Sequence, residues 1–599
     1  MQMCVPVRKP GWVSPRKLLE QKLTHLHKCA NILHIKQLHA QIIRANLHLD
    51  PFVAPKLIAA FSLCRQIALA VNVFDQIPEP NVHVFNAMIR AHTQNSQGPQ
   101  AFAAFFNMQS NGVSPDNYTY SFLLKACSGK AWLSVVQMVH THIEKCGFCS
   151  DIFVPNALID SYSKCGPVGV FAAKKLFLAM GVRDVVSWNS MVGGLVKVGE
   201  LGEARQLFDE MPERDLVTWN TMLDGYVKAG QMSEAFEFFQ RMPERNVVSW
   251  STIVSGYSRA GDMDMARILF DKMPVKNLVT WTIIVSGYAA KGIANEANSL
   301  YDQMEDAGLK FDDGTIISVL AACAESGLLG LGEKVHASMD RIRYRCCTPV
   351  SNALVDMYAK CGSLDKAYKV FNGIGNKDLV SWNAMIHGLA IHGHGEKALW
   401  LFGRMKKESF SPDAVTFVGI LCGCAHAGFV KEGLYYFHSM ERDYGVVPQV
   451  EHYGCVVDLL GRGGRLEEAF RLVNSMPVEP NPVIWSTLLG ACRVHNAVDL
   501  AAEVLDHLAK LESSDPGNFS MLSNIYAAAG DWESVATMRV RMRSTGIQKA
   551  SGASSIEVND EVHEFKVFHK SHPQSDKIYQ TIGKLNQDLK RVEYVPIGH

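Results

Sequence analysis

The chain has 599 residues, of which 48% are hydrophobic and 20% are charged, a composition that is typical of folded proteins and excludes extensive disorder. Its 59 basic and 59 acidic side chains cancel, so it lacks the global positive charge that drives strong non-specific binding to nucleic acid. No run of residues reaches the roughly 18 apolar residues of a membrane-spanning helix, and fifteen scattered cysteines predict reduced thiols rather than a disulfide framework.

Residues 1–18 are basic and contain no acidic side chain. They include Arg8, Lys9, Arg16 and Lys17, and the first acidic residue is Glu20. A short basic leader of this kind predicts an organelle transit peptide, although a frayed basic terminus has the same composition. The leader is poor in Ser and Thr, which favours a mitochondrial destination over a plastid one.

A repeat of about 31 to 36 residues follows the leader. Its clearest copies are 185–215, 216–246 and 247–277, each 31 residues long. On the same phase lie 51–81, 82–116, 117–151, 152–184, 278–312, 313–347, 348–378, 379–413, 414–449 and 450–481, with a less regular copy at about 19–50. We therefore predict about 13 repeats over 19–481, followed by degenerate units at 482–515 and 516–550.

Each unit has the pattern of two amphipathic helices. In 216–246 the apolar residues of the first helix are spaced i, i+3, i+4, i+7 and i+8: Trp219, Met222, Leu223, Tyr226 and Val227. Gly230 interrupts the pattern, and a second apolar stripe then runs to Pro243. A lone hairpin cannot cover its own apolar stripe, so the sequence predicts an all-α fold, a right-handed superhelical solenoid of tandem helix-turn-helix repeats.

Recurrent tryptophans fall at one place in this pattern, where we predict that they form the core between repeats. They are Trp188, Trp219, Trp250, Trp281 and Trp382.

Two polar positions recur in the units. A small polar residue follows the recurrent aromatic or its equivalent: Asn86, Asn156, Asn189, Asn220, Ser251, Thr282, Asn352 and Asn383. The last residue of the same units is Asp116, Asp184, Asp215, Asn246, Asn277, Asp312, Asp378 and Asp413. Both positions lie near the starts of successive first helices, and their donors and acceptors suit a Watson–Crick edge. Helix capping is the alternative role for the last residue, although it does not explain the partner position.

A basic residue recurs two helical turns after the small polar one, and could follow a phosphate backbone. The set is Lys164, Lys197, Lys228, Arg259 and Lys360. Ordinary solvated surface charge is the competing interpretation.

These motifs resemble those of plant organellar pentatricopeptide repeat (PPR) proteins of the PLS subfamily, and the resemblance covers residues 19 to 599. Long units such as Ala321–Gly332, AACAESGLLGLG, alternate with short and standard ones, as in that subfamily. The resemblance implies sequence-specific binding of single-stranded organellar RNA, in which each of the residue pairs above reads one nucleotide. The implied core is UNUUCAGNUU, where the N positions belong to the long-unit pairs Ser121/Asp151 and Ile317/Cys347; Val418/Gln449 is a third uninformative pair.

The resemblance also assigns a role to an apolar residue just before the Ser/Thr-aromatic pair. It implies that these side chains sandwich the base, whereas plain packing is the alternative. They are Val186, Val217, Val248, Val279 and Val380.

The C-terminal residues are similar to the extensions of cytidine-to-uridine editing factors. Residues 482–550 resemble the E extension and 551–599 an E-plus-like region. The resemblance implies a site-recognition factor for C-to-U RNA editing that recruits a deaminase-bearing PPR protein or other editing factors through residues 482–599. A binder acting in organellar splicing, transcript stability or translation is the alternative, and a protein-scaffolding solenoid is a second one.

No catalytic residue, metal or cofactor is predicted. A zinc deaminase needs a His-x-Glu followed by Pro-Cys-x-x-Cys; His142-Ile143-Glu144 is present, but no such cysteine motif follows it. Cys146 and Cys149 lack the second ligand pair of a zinc site, and His569 and His572 fit a partner surface better than a metal.

Overall fold

The computed structural model describes residues 32–591, apart from residues 46, 128–131, 149–150, 310, 342–345, 511–515, 545–552, 559–560 and 567–571. The predicted transit peptide therefore lies outside the described residues. The contacts divide the chain into two compact units, Met1–Gly256 and Tyr257–His599. No helix in the described ranges is long and apolar enough to cross a bilayer.

The described residues are arranged mainly in paired helices. In chain order the helices are α1 Ile32–Arg44, α2 Ala54–Leu63, α3 Ile67–Asp75, α4 Val82–Gln94, α5 Gly98–Ser110, α6 Asn117–Ala126, α7 Leu133–Cys146, α8 Phe153–Ser163, α9 Pro167–Ala179, α10 Val185–Val198, α11 Leu201–Glu210, α12 Leu216–Lys228, α13 Met232–Arg241, α14 Val247–Ala260, α15 Met263–Lys272 and α16 Leu278–Ala290. They continue as α17 Ala294–Asp306, α18 Asp313–Ser326, α19 Leu329–Arg341, α20 Thr348–Lys360, α21 Leu364–Gly373, α22 Leu379–Ile391, α23 Gly395–Lys407, α24 Ala414–Ala427, α25 Val430–Tyr444, α26 Val450–Arg462, α27 Leu466–Asn474, α28 Pro482–Val494, α29 Val498–Lys510, α30 Pro516–Ala528, α31 Trp532–Ser544 and α32 Ser575–Arg591.

The helical hairpin predicted for residues 216–246 is confirmed. Helix α12 begins directly after Asp215, and α13 ends just before Met242. Between them Gly230 has a φ of 73°, a left-handed conformation that costs a glycine little and a residue with a Cβ considerably more. The turn inside the hairpin therefore depends on the glycine that marked it in the sequence.

The recurrent tryptophans pack against phenylalanines of the second helices. Trp219 meets Phe208 edge to face with ring centroids 4.9 Å apart, and Trp188, Trp250, Trp281 and Trp382 make equivalent contacts with Phe177, Phe239, Phe270 and Phe371. A basic residue lies over the phenylalanine ring; Arg214, for example, is 5.1 Å from the centroid of Phe208. These contacts favour the core role predicted for the tryptophans.

First helices of neighbouring repeats approach each other closely. A Cβ on Gly225 of α12 would lie 2.8 Å from Leu201 Cδ2 and 3.0 Å from Val196 Cγ1, both in the preceding repeat. Only glycine fits at this distance without a shift of its neighbours. The close approach brings the N-terminal ends of successive first helices within hydrogen-bonding range of each other.

The C-terminal residues depart locally from the helical pattern. Strands β1 (Ala553–Val558) and β2 (Glu561–Lys566) form an antiparallel hairpin in which Ala553 pairs with Lys566. Alternating polar and apolar residues, as in Ile556, Glu557 and Val558, are typical of a strand rather than a helix. The all-α repeat fold is confirmed, with this hairpin as an addition that the sequence prediction did not include.

Candidate RNA interface

The last residue of a unit caps the first helix of the next unit. Asp184 Oδ1 accepts a hydrogen bond from the backbone N–H of Ser187 at 2.8 Å, and the Ser187 hydroxyl accepts one from the backbone N–H of Asp184 at 3.2 Å. The same cap occurs at Asp116, Asp215, Asn246, Asn277, Asp378 and Asp413, and Asp312 accepts the backbone bond from Thr315. The capping role considered for this position is therefore present throughout the series.

The partner asparagine is part of the same hydrogen-bond network. Asn156 Nδ2 donates to Asp184 Oδ1 at 3.0 Å, and the hydroxyl of Ser187 donates to Asn156 Oδ1 at 2.6 Å. Equivalent donor bonds join Asn86 to Asp116, Asn189 to Asp215, Asn220 to Asn246, Asn352 to Asp378 and Asn383 to Asp413, at 2.9 to 3.3 Å. The structure thus brings six of the eight predicted pairs into direct contact.

A buried hydroxyl holds both members of each pair, and the sequence reasoning missed it. The residues are Thr119, Ser187, Thr218, Ser249, Ser381 and Thr416, all with no exposed surface, and each donates to the asparagine Oδ1 at 2.6 to 2.7 Å. Because Oδ1 is bound to a hydroxyl donor, the amide orientation is fixed, with Nδ2 directed toward the carboxylate. The Asn side chain therefore does more than occupy space beside the cap.

The shorter polar residues make different contacts. The Ser251 hydroxyl donates to Val247 O at 2.7 Å. The Thr282 hydroxyl bonds to Leu278 O at 2.8 Å and to Thr315 Oγ1 at 3.0 Å. Since neither side chain carries an amide, neither can form the donor bond that asparagine makes to the cap residue.

The side chains of two uninformative pairs bond to residues outside the pair. Ser121 donates to Asn117 O, within its own helix, and Asp151 Oδ2 accepts from Asn117 Nδ2 at 3.0 Å. In the unit 313–347, Cys347 Sγ contacts Asp313 Oδ2 at 3.3 Å. In unit 117–151 the carboxylate is therefore bound by Asn117, which is not the predicted partner, and unit 313–347 has the thiol of Cys347 in place of the carboxylate.

The five valines predicted to sandwich a base are on the surface. Val186, Val217, Val248, Val279 and Val380 are 55–59% exposed. This exposure argues against the packing alternative, since a core valine would be almost fully buried. Their contribution to RNA binding stays a prediction.

The same register holds three aromatic residues that sequence reasoning missed. Each stands two residues after the last residue of the preceding unit or its equivalent. They are His83 in α4, Tyr118 in α6 and Phe153 in α8. Tyr118 is 63% exposed and Phe153 66% exposed. Their distance after Asn81, Asp116 and Asp151 matches that of Val186 after Asp184, so the repeat phase alone could have identified them.

Three of the five predicted basic residues are already paired with aspartate. Lys164 lies 2.5 Å from Asp160, Lys228 lies 2.6 Å from Asp224, and Lys360 has the equivalent partner, Asp356. Within the described ranges Lys197 and Arg259 form no ion pair. The latter two thus carry an uncompensated positive charge that could meet a phosphate, and the role of the whole set stays a prediction.

Hydrogen bonding favours the ionised form of three of the pair carboxylates, those of Asp184, Asp215 and Asp378. Burial raises the pKa of Asp184, but hydrogen bonds from Ser187 and Asn156 outweigh it, so the pKa lies below its usual value. The pKa of Asp215 and the pKa of Asp378 are lowered in the same way. At neutral pH these side chains are therefore acceptors that carry a negative charge.

His142, which the sequence analysis set aside as a catalytic candidate, makes ordinary polar contacts. His142 bonds to Gln109 Nε2 at 2.9 Å and to the buried Tyr120 hydroxyl at 3.0 Å, so it belongs to a polar contact between helices. No cluster of three His, Cys, Asp or Glu side chains that could hold a metal occurs in the described part of the chain. Cys149 and His569 lie outside the described residues.

Family models match much of the chain. The PPR repeat model matches residues 186–216, 217–247, 248–278, 279–309, 350–378, 415–444 and 451–479, and the PPR repeat family model matches 80–129 and 377–426. The E motif model matches 495–557.

Whole proteins and one solved structure are also similar. A pentatricopeptide repeat-containing protein of Arabidopsis thaliana is 66% identical over 587 residues, which cover 98% of each chain. Another from the same plant, named as chloroplastic/mitochondrial, is 35% identical over 586 residues, covering 95% of this chain and 77% of its own length. The crystal structure of the pentatricopeptide repeat protein PPR10 with an 18-nt psaJ RNA element matches the fold with a TM-score of 0.53 at 20% identity, covering 88% of this chain and 80% of that one.

Proposed function

Because this chain belongs to the pentatricopeptide repeat family, we propose that it binds single-stranded organellar RNA and reads bases with the eight pairs of polar residues described above. The observation that carries the proposal is the network around each pair, in which Asn156, Asp184 and Ser187 are held in fixed orientations. Fixed polar atoms discriminate between bases better than mobile ones, since their orientation is set before the RNA binds. The family is one of RNA-binding repeat proteins and not of enzymes.

The cap residue can distinguish bases whose ring nitrogen donates a hydrogen bond from bases whose ring nitrogen accepts one. The bonds from Asn156 and from the backbone N–H of Ser187 both end on Asp184 Oδ1, so Oδ2 can accept the imino N–H of uracil or guanine. In Asn246, Oδ1 accepts the corresponding bonds, so Nδ2 can donate to the unprotonated ring nitrogen of cytosine or adenine. One atom at the cap thus separates U and G from C and A.

The small polar residue of each pair can distinguish pyrimidines from purines by size. The amide of Asn156 extends toward the cap, which leaves space for a pyrimidine, whereas Ser251 and Thr282 are shorter and turn back to their own helix. A shorter side chain leaves room for a purine. Together the two choices agree with the core UNUUCAGNUU, which takes A at Ser251/Asn277 and G at Thr282/Asp312.

We propose that the bound RNA lies beside an editing site and that the C-terminal residues recruit a deaminase. The surface of these residues supports a partner role: Trp532 is 68% exposed and Val540 is 65% exposed on α31, and Tyr579, Ile582 and Leu585 are exposed on α32. The last three recur at intervals of three residues along α32, and large exposed apolar groups of this kind mark interaction surfaces. The mitochondrion is the proposed compartment, and a plastid is the alternative.

Two experiments test this proposal, one for RNA recognition and one for the role in editing. Equilibrium binding of the full chain to an oligonucleotide containing UNUUCAGNUU, against a scrambled control, tests RNA recognition; equal or absent binding of both would favour a scaffolding solenoid. Sequencing of organellar cDNA from a knockout tests the editing role. Loss of conversion at one or a few cytidines is expected, whereas unchanged editing with unspliced or altered transcripts would favour the splicing or stability role.

A further inference from the structure

We propose that a cavity beside Trp485 receives an arginine side chain of a partner protein. The cavity lies where the unit 450–481 meets the unit 482–515, and its volume is about 310 Å³. The inference rests on the partner recruitment proposed above and gives that recruitment a site and a chemistry. The lining residues include Val473, Met476, Glu479, Pro480, Trp485 and His507.

Other units fill the equivalent place with two side chains of their own. Phe208 packs edge to face against Trp219, which is the residue equivalent to Trp485, and Arg214 lies over the Phe208 ring at 5.1 Å. A phenylalanine and a basic residue are arranged in the same way beside Trp188, Trp250, Trp281 and Trp382. These repeats therefore complete their aromatic contact with a cation from the same chain.

The unit before Trp485 has smaller, uncharged residues at both places. Val473 takes the place of the phenylalanine, and Pro480 takes the place of the basic residue that directly precedes the cap. Trp485 instead stacks on His507, with ring centroids 4.4 Å apart, and meets Phe470 at 6.0 Å. In the described part of the chain no Lys or Arg lies over these rings. The cavity is thus the space that the two absent side chains leave.

The charge of the cavity wall favours an arginine as its occupant. Glu479 lines the cavity and forms no ion pair with any described residue, and the lining contains no Lys or Arg. A guanidinium can lie flat against an aromatic ring while its N–H groups bind a carboxylate. An apolar side chain would leave Glu479 unpaired, and the ammonium of a lysine has no planar face to stack.

Binding of capped amino acids to the full chain tests this chemistry. The probes are the N-acetyl methylamides of arginine, citrulline, lysine and phenylalanine; citrulline has nearly the shape of arginine but no charge. Titration followed by saturation-transfer NMR should show that the arginine probe binds about fivefold or more tightly than each of the others. Equal binding of the arginine and citrulline probes, or tighter binding of the lysine or phenylalanine probe, would overturn the inference.

Variants locate the binding in this cavity. Glu479→Gln should reduce binding of the arginine probe to the level of citrulline, and Pro480→Arg, which returns a basic residue to the chain, should abolish it. Glu244→Gln is the matched control and should change nothing, because Glu244 holds the same position in a unit that has its own Arg245. Both glutamates are exposed, so folding should be unchanged in the two Gln variants. An arginine preference that survives Glu479→Gln would contradict this site.

Complementation of a knockout connects the cavity with a partner. The Pro480→Arg chain should bind the UNUUCAGNUU oligonucleotide as the unmodified chain does, but should fail to restore the transcript defect of the knockout. Full restoration by this variant would overturn the partner role of the cavity alone. Absent RNA binding by the unmodified chain, or a knockout without a transcript defect, would instead count against the proposed function.

Discussion

Replacing Ser249 with alanine tests whether the buried hydroxyl sets base preference. Ser249 has no exposed surface; its hydroxyl donates to Asn220 Oδ1 at 2.6 Å and accepts from the backbone N–H of Asn246 at 3.3 Å. Ser249→Ala removes the donor to Asn220 and the acceptor for the Asn246 backbone N–H, the two members of the pair that we expect to read cytosine. Loss of such hydrogen bonds costs about 1–2 kcal/mol in the free energy of unfolding.

The same loss should reduce base discrimination at one position of the RNA. Without the hydroxyl the Asn220 amide can rotate, so its Nδ2 is no longer fixed toward Asn246. We expect the preference for C over a purine at the fifth position to fall about fivefold, equivalent to about 1 kcal/mol. Competition binding with oligonucleotides that vary only at this position measures the change, and Ser249→Thr should restore it because Thr218 serves the same role elsewhere.

Thr280 offers a matched control. Its hydroxyl is equally buried but bonds only within its own cap, to the backbone and side-chain oxygens of Asn277 at 2.9 and 2.8 Å. Thr280→Ala should therefore destabilise the fold by a similar amount and change base preference less than about twofold at the sixth position, which its own pair Ser251/Asn277 reads, whereas Ser249→Ala changes the preference at the fifth. If Ser249→Ala lowers stability without changing that preference, the hydroxyl has only a capping role.

Three further predictions concern the surface and the charges. Val217→Ala should weaken RNA binding several-fold while changing the free energy of unfolding by less than about 0.5 kcal/mol, because the side chain is 58% exposed; binding titration and urea unfolding check this. The lowered pKa of Asp184 contributes stability that is present above its unfolded-state pKa and is lost as the pH falls below about 4, so Asp184→Asn should unfold with a weaker acid dependence in pH-dependent urea titrations. Lys197→Ala or Arg259→Ala should reduce the slope of log affinity against log salt by about one, whereas Lys228→Ala, which removes a charge already paired with aspartate, should reduce it less.

The repeat phase predicted most of the fold. Spacing of apolar residues located α12 and α13, and Gly230 located the turn between them. The sequence also placed Asn156 and Asp184 near the starts of successive first helices. Their direct bond depends on close packing of neighbouring first helices, which a single-unit pattern does not reveal.

The features of the site that were not predicted from the sequence were missed for specific physical reasons. Ser187 looks like an ordinary residue of a first helical turn, and its second role appears only when the neighbouring Asn156 is placed beside it. Tyr118 and Phe153 were overlooked because the valines alone defined the motif. By contrast, the pairing of Lys228 with Asp224 was readable, since residues four apart on a helix are neighbours.

A swap of the cap residue tests the central claim most directly. Asn246→Asp replaces the outward amide donor with a carboxylate acceptor while keeping the cap geometry, and Asp215→Asn makes the reverse change one repeat earlier. Affinity for oligonucleotides with each base at the fourth and fifth positions is measured for both variants and the unmodified chain. We expect Asn246→Asp to shift the fifth position from C toward U at least fivefold, and Asp215→Asn to shift the fourth from U toward C. Unchanged preferences at both positions, with folding intact, would contradict base reading by these pairs.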